Sequence, residues 1–451
     1  MNNESYRIKK LTKKEFADSL QKGLGRAYLY ATYHGIDEVA DLVLKACLHD
    51  QAYDPQSESS RASWLFRIFK DTEYLTEFTE TILNSLKTKK ETWDLLQLFE
   101  LAFELAKNGN QRAREIIKER AFKKARRTSP DEWLGAEQWI GLTGLNGAIE
   151  LARIYGLRLL RNPEAYVPES EIFPDVTIKS SFYTRLAEDS TEPALAAYYN
   201  YLKKRGELEP RPHEVDKEVA LKNHCEWVRQ RYTLSSILND AKNKTDQYGI
   251  RYRQFGKCAT TDELEVIYTL LLNETDDSTR LRLLWVFSKA SLPHLNDIFF
   301  LWANGDDSQL REASISALSQ VKDTRVHTLA RDKILNSKLS GADSGSIELF
   351  MNNIETDDAK LIISALRRTK ANKEDAHSIA WDVIDLCKKY HHPGLGDALM
   401  WSYEKTPCSA CRLRIVEQLD SLGQLGGEIL YESQFDGNGD IVEFARKKMS
   451  H

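Results

Sequence analysis

The pair Cys408-x-x-Cys411, in the stretch TPCSACRLR (406–414), has the spacing of half a zinc site or of a dithiol redox pair. Pro407 suits a first helical position, which places both thiols in an opening helical turn. A helix N-terminus favours the thiolate that either chemistry needs. Structural zinc requires two further ligands, and the nearest are Cys387, His391 and His392. The segment LGDALMWSYEK between the two groups spans about 16 Å as a helix, at about 1.5 Å per residue. Antiparallel packing then puts the groups at opposite ends of that helix. The expectation is therefore two packed core cysteines, with no metal and no cofactor; a metal site at Cys408 and Cys411 is the alternative.

Three other stretches gather polar chemistry. YDPQSESSRASWLFRIF (53–69) brings Asp54, Gln56, Glu58, Arg61 and Trp64 close together. Asp54-Pro55 starts a turn, Ser59 or Ser60 suits a helix cap, and Glu58 with Arg61 makes either a recognition cluster or a local ion pair. NKTDQYGIRYRQFGK (243–257) interleaves Tyr248, Tyr252 and Phe255 with Arg251, Arg253 and Lys257. That pattern suits base stacking with phosphate contact, and equally a seam that packs its rings between helices. Gln111–Arg127 carries eight basic and two acidic residues, with Arg112, Arg120, Lys123 and Arg127 near one face: a phosphate-contacting stripe or a solvated surface.

Recognisable catalytic signatures are missing. The chain has no Gly-x-Ser-x-Gly, no Walker-type phosphate loop, no dinucleotide fingerprint and no His-Glu-x-x-His. An enzyme is thus the less favoured reading. Gly141, Gly144 and Gly147 recur at every third place without a preceding strand, which is a helix-packing pattern.

What must position these residues is helix. Of 451 residues 41% are hydrophobic and 29% charged, with only 11 Pro and 22 Gly, and alternating β-branched runs are almost absent. Thr12-x-x-Glu15 and Thr260-x-x-Glu263 read as capping boxes, and Ser129-Pro130 with Glu132 as a third helix start. In WDLLQLFELAFELA (93–106) the set Leu95, Leu98, Phe99, Ala102, Leu105 and Ala106 makes one wide apolar face, which must stack on a neighbour. No apolar run reaches the roughly 18 residues of a membrane span, and the N-terminus lacks a secretory apolar core. Six thinly spread cysteines suit free thiols in a cytoplasmic protein.

DDSTRLRLLWVFSK (276–289) and DDSQLREASISALSQ (306–320) repeat one layout about 30 residues apart, and DGNGDIVEFARKK (436–448) resembles both. Here the chain resembles the HEAT-like repeat proteins, whose units read roughly Asp-x-x-Val/Leu-Arg-x-x-Ala-x-x-Ala-Leu. Asp307, Leu310, Arg311, Ala313, Ala317 and Leu318 carry the match, while 340–405 match poorly. The stretches AYDPQSESSRASWL, WDLLQLFELA and CSACRLRIVEQL extend the likeness to a bacterial group of HEAT-like proteins. The resemblance implies an all-α fold, an α-α superhelix of paired antiparallel helices. The expected organisation is an N-terminal helical block (1–160), a proline-broken connector with short helices (161–218) and a HEAT-like array (219–451).

The expected function is a non-catalytic scaffold that presents a curved helical surface to a protein or peptide partner. The alternative, that of a nucleic-acid binder related to alkylpurine DNA glycosylases, rests on the fold likeness and the basic stretches. A net charge of −5 stands against it.

Overall fold

A computed structural model describes residues 10–127, 133–168, 172–173, 176–189, 191–208, 217–246, 248–336 and 339–450. Among these residues the regular structure is helical, with no strand. Among the described residues no helix is long and apolar enough to cross a membrane. Two compact units form: residues 1–212 together with 427–451, and residues 213–426. These boundaries differ from the expected ones. The proline-rich stretch after 160 is built into the first unit, and the last 25 residues leave the expected array to join it.

Helix starts follow the sequence where it marks them. Thr12 Oγ1 accepts from Glu15 N (3.2 Å) while the Glu15 carboxylate accepts from Thr12 N (2.8 Å), and Thr260 with Glu263 repeats the exchange. The expected start at Ser129, Pro130 and Glu132 lies outside the described residues.

In the first unit, helix Thr92–Lys107 buries Leu95, Leu98, Phe99, Ala102 and Leu105, the face read from its periodicity. Stacking recurs at a nearly constant chain separation. Lys13 meets Asp41 28 residues on, Arg112 meets Glu80 at 32, Lys118 meets Glu150 at 32, and Arg158 reaches Ala125 O at 33. The segment read as a connector is packed: Phe182, Leu186, Leu195, Tyr198 and Leu202 are buried, and Gly156 lets helix Leu145–Arg161 lie against Ala194.

The C-terminal helices Gly427–Ser433 and Gly439–Met449 complete this unit. Trp64 Nε1 donates to Phe435 O (2.8 Å), Arg26 Nε to Glu432 (2.9 Å), and Gly437 N to Gly23 O (2.7 Å). A Cβ on Gly25 would lie 2.0 Å from Glu432 O, so only glycine admits that backbone there. Trp64 is 1% exposed. It anchors the core, and the edge of its ring lines the larger hollow described below.

In the second unit, the two aspartate-headed helices repeat a shared device. Asp276 caps Asp277–Phe287 and Asp307 caps Ser308–Ser319, each accepting from the residue three on. Four residues after each cap an arginine turns back: Arg280 to Glu274 O and Arg311 to Gly305 O, both at 2.6 Å. The true register is thus Asp276 with Asp307, one residue off the Asp-Asp-Ser alignment. Contacts again recur at separations of 28 to 34, as in Arg325–Asp297, His327–Asp358 and Gly341–Asp375. Where the repeat pattern fades, Gly341–Asn352 forms a 3₁₀ helix, whose three-residue turn breaks the 3.6-residue period.

Cys225 and Cys258 form a disulfide, with Cα atoms 5.3 Å apart where helices Lys217–Arg231 and Ile250–Cys258 pack. This corrects the expectation that all the cysteines are free thiols, and removes thiol usage as an argument for the cytoplasm. The remaining cysteines, Cys47, Cys387, Cys408 and Cys411, carry no disulfide.

Three outcomes follow from this packing. Gly25→Ala and Trp64→Ala should both destabilise the chain, the second by about 3–5 kcal/mol in denaturant unfolding. Thiol titration of the denatured, unreduced protein should count four thiols, rising to six after reduction. Asp382 has a buried Oδ2 with no hydrogen-bond partner, and burial first, then Glu348 and Asp385, holds its pKa well above 3.8. Its contribution is favourable below pH 3.8 and is lost as pH rises through the folded-state value. Asp382→Asn should therefore raise the melting temperature at pH 8 and leave it nearly unchanged below pH 3.8.

Candidate binding pocket

The loop between helices Ala40–Leu48 and Ala62–Phe69 folds around its own side chains. Asp54 is consumed by its turn: its carboxylate accepts from Gln56 N (3.2 Å) and Ser57 Oγ (2.6 Å). Glu58 points inward and accepts from Tyr53 N (2.8 Å), Asp54 N (2.9 Å) and Arg61 Nη2 (2.7 Å). Arg61 also donates to Gln21 O. The side chains of Glu58 and Arg61 are 0% and 4% exposed, so this ion pair is the frame of the loop. Gln56 points to solvent, and Ser60 Oγ, not a cap of the usual geometry, accepts from Ala62 N at 3.2 Å.

Against this frame lies a hollow of about 200 Å³. Asp50, Pro55, Ser60 and the Glu58–Arg61 pair form one side; Trp93, Leu96, Gln97 and Glu100 form the other. Those last four sit at i, i+3, i+4 and i+7 of helix Thr92–Lys107, one stripe of it. Gln97 is locked by donating to Ala46 O (2.8 Å) and Cys47 O (3.0 Å). Asp94, one turn earlier, accepts from Asp50 N (2.8 Å) and pairs with Lys89 (2.5 Å), which pins the loop to the helix.

The pocket is acidic and poorly solvated. Burial pushes Glu100 up to about 7, against the hydrogen bond it accepts from Ser60 Oγ, with Glu137 and Asp50 adding repulsion. Burial likewise raises Asp50 and Glu137. Among the described residues no cation pairs with Glu100. A second hollow of about 780 Å³ shares the wall Ser59–Ser60 and carries Arg67, Arg446 and Lys447. Of the residues picked from sequence, the structure brings Glu58 and Arg61 to the smaller hollow and Trp64 to the larger one, and leaves Asp54 and Gln56 outside both linings. Asp50, Trp93, Gln97 and Glu100 were missed, although a polar stripe on a strongly apolar helix was there to be read.

The basic and aromatic stretch of the second unit is not a stacking platform. Tyr252 and Phe255 are 0% and 1% exposed, so Tyr252 is a seam residue and not a ligand contact. Gly249 and Gly256 seat this helix against Trp285 and Val286. Arg251 pairs with Asp240 and Asp246, and Arg253 donates to Tyr248 O while lying over Trp285. Lys257 is solvent-exposed, as is Tyr248. In the first unit Arg112, Lys118 and Arg120 are similarly engaged, with Glu80, Glu150 and the carbonyl of Lys87.

Metal-type ligands gather once among the described residues, in the second unit. His377, Cys408 and Cys411 place their ligand atoms within 4.8 Å of one another. Cys387, His391 and His392 do not join them.

Comparison with known proteins returns no match to this chain: no family model, no curated protein and no solved structure.

Proposed function

We propose that this chain is a non-catalytic binding protein, a HEAT-like stack of helices that engages a protein or peptide partner by seating a basic side chain between Asp50 and Glu100. The observation that carries the reading is a half-buried carboxylate, Glu100, pushed up to about 7 by desolvation and facing a hollow where no described cation pairs with it. A lysine or arginine from a partner supplies the missing charge, and Trp93 offers a ring beside it. Size points the same way. At about 200 Å³ the hollow fits one side chain, while small-molecule sites commonly run from roughly 300 to 1,000 Å³. The adjoining hollow with Arg67, Arg446 and Lys447 suits acidic residues flanking that basic one.

The nucleic-acid alternative has less support: Arg251 pairs with Asp240 and Asp246, Tyr252 is buried, and the net charge is −5, although Tyr248 and Lys257 stay exposed. No observation favours acid–base catalysis over cation binding in the pocket.

A peptide library displayed against the full chain tests the reading. Selection should enrich one fixed Lys or Arg flanked by acidic residues, and Glu100→Gln should abolish that enrichment. Binding should strengthen as pH rises through about 7, because the ionised carboxylate is the form that holds a cation. Enriched peptides without a basic residue, or enrichment untouched by Glu100→Gln, would reject it. The unliganded protein gives an independent check. Glu100 has a folded pKa near 7 against an ordinary 4.5, so its stability contribution is lost as pH rises from 4.5 through 7. Glu100→Gln should melt higher than wild type at pH 8 and equally at pH 4.5 or below.

A further inference from the structure

We infer that His377, Cys408 and Cys411 form a binding site for a thiophilic d¹⁰ cation, with zinc as its natural probe. The three come from two helices of the second unit, Lys373–Tyr390 and Ser409–Ser421. Cys411 Sγ lies 3.6 Å from His377 Nδ1. A tetrahedral zinc with bonds of about 2.3 Å to sulfur and 2.0–2.1 Å to nitrogen holds those two atoms about 3.6 Å apart. All three ligand atoms already lie within 4.8 Å of one another, so closing the set asks for displacements on the order of 1 Å. Two sulfurs and one imidazole select zinc or copper(I) over the hard cations.

The backbone prepares the sulfurs for this role. Cys408 is itself the N-cap of its helix, which starts two residues later than Pro407 suggested, and its Sγ accepts from Cys411 N at 3.5 Å. Amide N–H groups aimed at a sulfur stabilise the thiolate, which is the ligand form. Both cysteines are buried, at 3% and 1% exposure, and three protein ligands leave the fourth tetrahedral position to a water. The antiparallel geometry that excludes Cys387, His391 and His392 is the same geometry that delivers His377. It sits near the other end of their helix, 34 residues before Cys411.

Trp381 opposes capture. Its Nε1 donates to His377 Nε2 at 3.0 Å, which leaves the imidazole proton on Nδ1, toward Cys411. Loading the site therefore moves that proton from Nδ1 to Nε2, turns the indole N–H away, and releases one proton from each cysteine that enters as a thiol. The indole ring is also held by Arg414, 4.2 Å from its centroid, so Trp381→Phe removes the competing donor while keeping a ring for that contact.

The test is zinc titration of the stripped, reduced full-length chain against a chromophoric chelator, with cobalt(II) as a spectroscopic stand-in. One zinc per chain and a thiolate-to-cobalt charge-transfer band are expected. Cys411→Ser and His377→Ala should each weaken zinc by more than the roughly 10–100-fold typical of outer-sphere changes. Cys387→Ser should leave affinity unchanged, and Trp381→Phe should tighten it. Circular dichroism confirms that each variant is folded. A folded, reduced wild type that takes up no zinc would overturn the site, as would uptake indifferent to Cys411→Ser. A Cys408–Cys411 disulfide that forms readily while the reduced protein ignores zinc would assign the pair to thiol exchange instead and equally refute it.

Discussion

The helices of this protein carry apolar faces that only a neighbour can cover, and polar contacts between neighbouring helices recur about 30 residues apart along the chain. Contacts at separations of 28 to 34 recur in both compact units. That constraint sets what can meet what. It brings Arg112 to Glu80, His327 to the fully buried Asp358, and His377 to Cys411. Polar groups trapped at such seams must be satisfied there, as Asp358 is by His327, Arg331 and Glu355 N. Glu100, which accepts only from Ser60 Oγ and has no described cation beside it, stands out against that pattern.

Much of the fold could be read because it rests on local rules. Capping boxes at Thr12 and Thr260, the apolar face of Thr92–Lys107 and the recurrent cap aspartates are determined within a few residues. The parts that could not be read depend on distant partners. Nothing near Trp64 announces that its indole will donate to Phe435 O, or that the last 25 residues will complete the first unit. The prolines between 161 and 212 suggested a connector, yet buried Phe182, Tyr198 and Leu202 hold that segment in the unit. The disulfide depends on a tertiary approach of Cys225 and Cys258, which spacing alone cannot specify.

The candidate site was half legible for the same reason. Glu58 and Arg61 lie three apart in a turn-rich stretch and were visible as a cluster, though their role is to brace the loop. Asp50 belongs to the same loop, but Trp93 and Glu100 come from the stacked helix and acquire meaning only when the Glu58–Arg61 frame is set against it. The pocket is thus a product of stacking. A loop braced by a buried ion pair packs onto a helix whose Glu100 has no cation beside it among the described residues.

The central claim is that this pocket keeps a carboxylate partly neutral until a cation arrives. A carboxyl ¹³C titration of Glu100, assigned by its loss in Glu100→Gln, measures that directly. The account predicts a midpoint near 7 in the unliganded protein, falling toward the ordinary 4.5 when a lysine-bearing peptide is bound. A midpoint near 4.5 without ligand, or one that a basic peptide leaves unchanged, would contradict it.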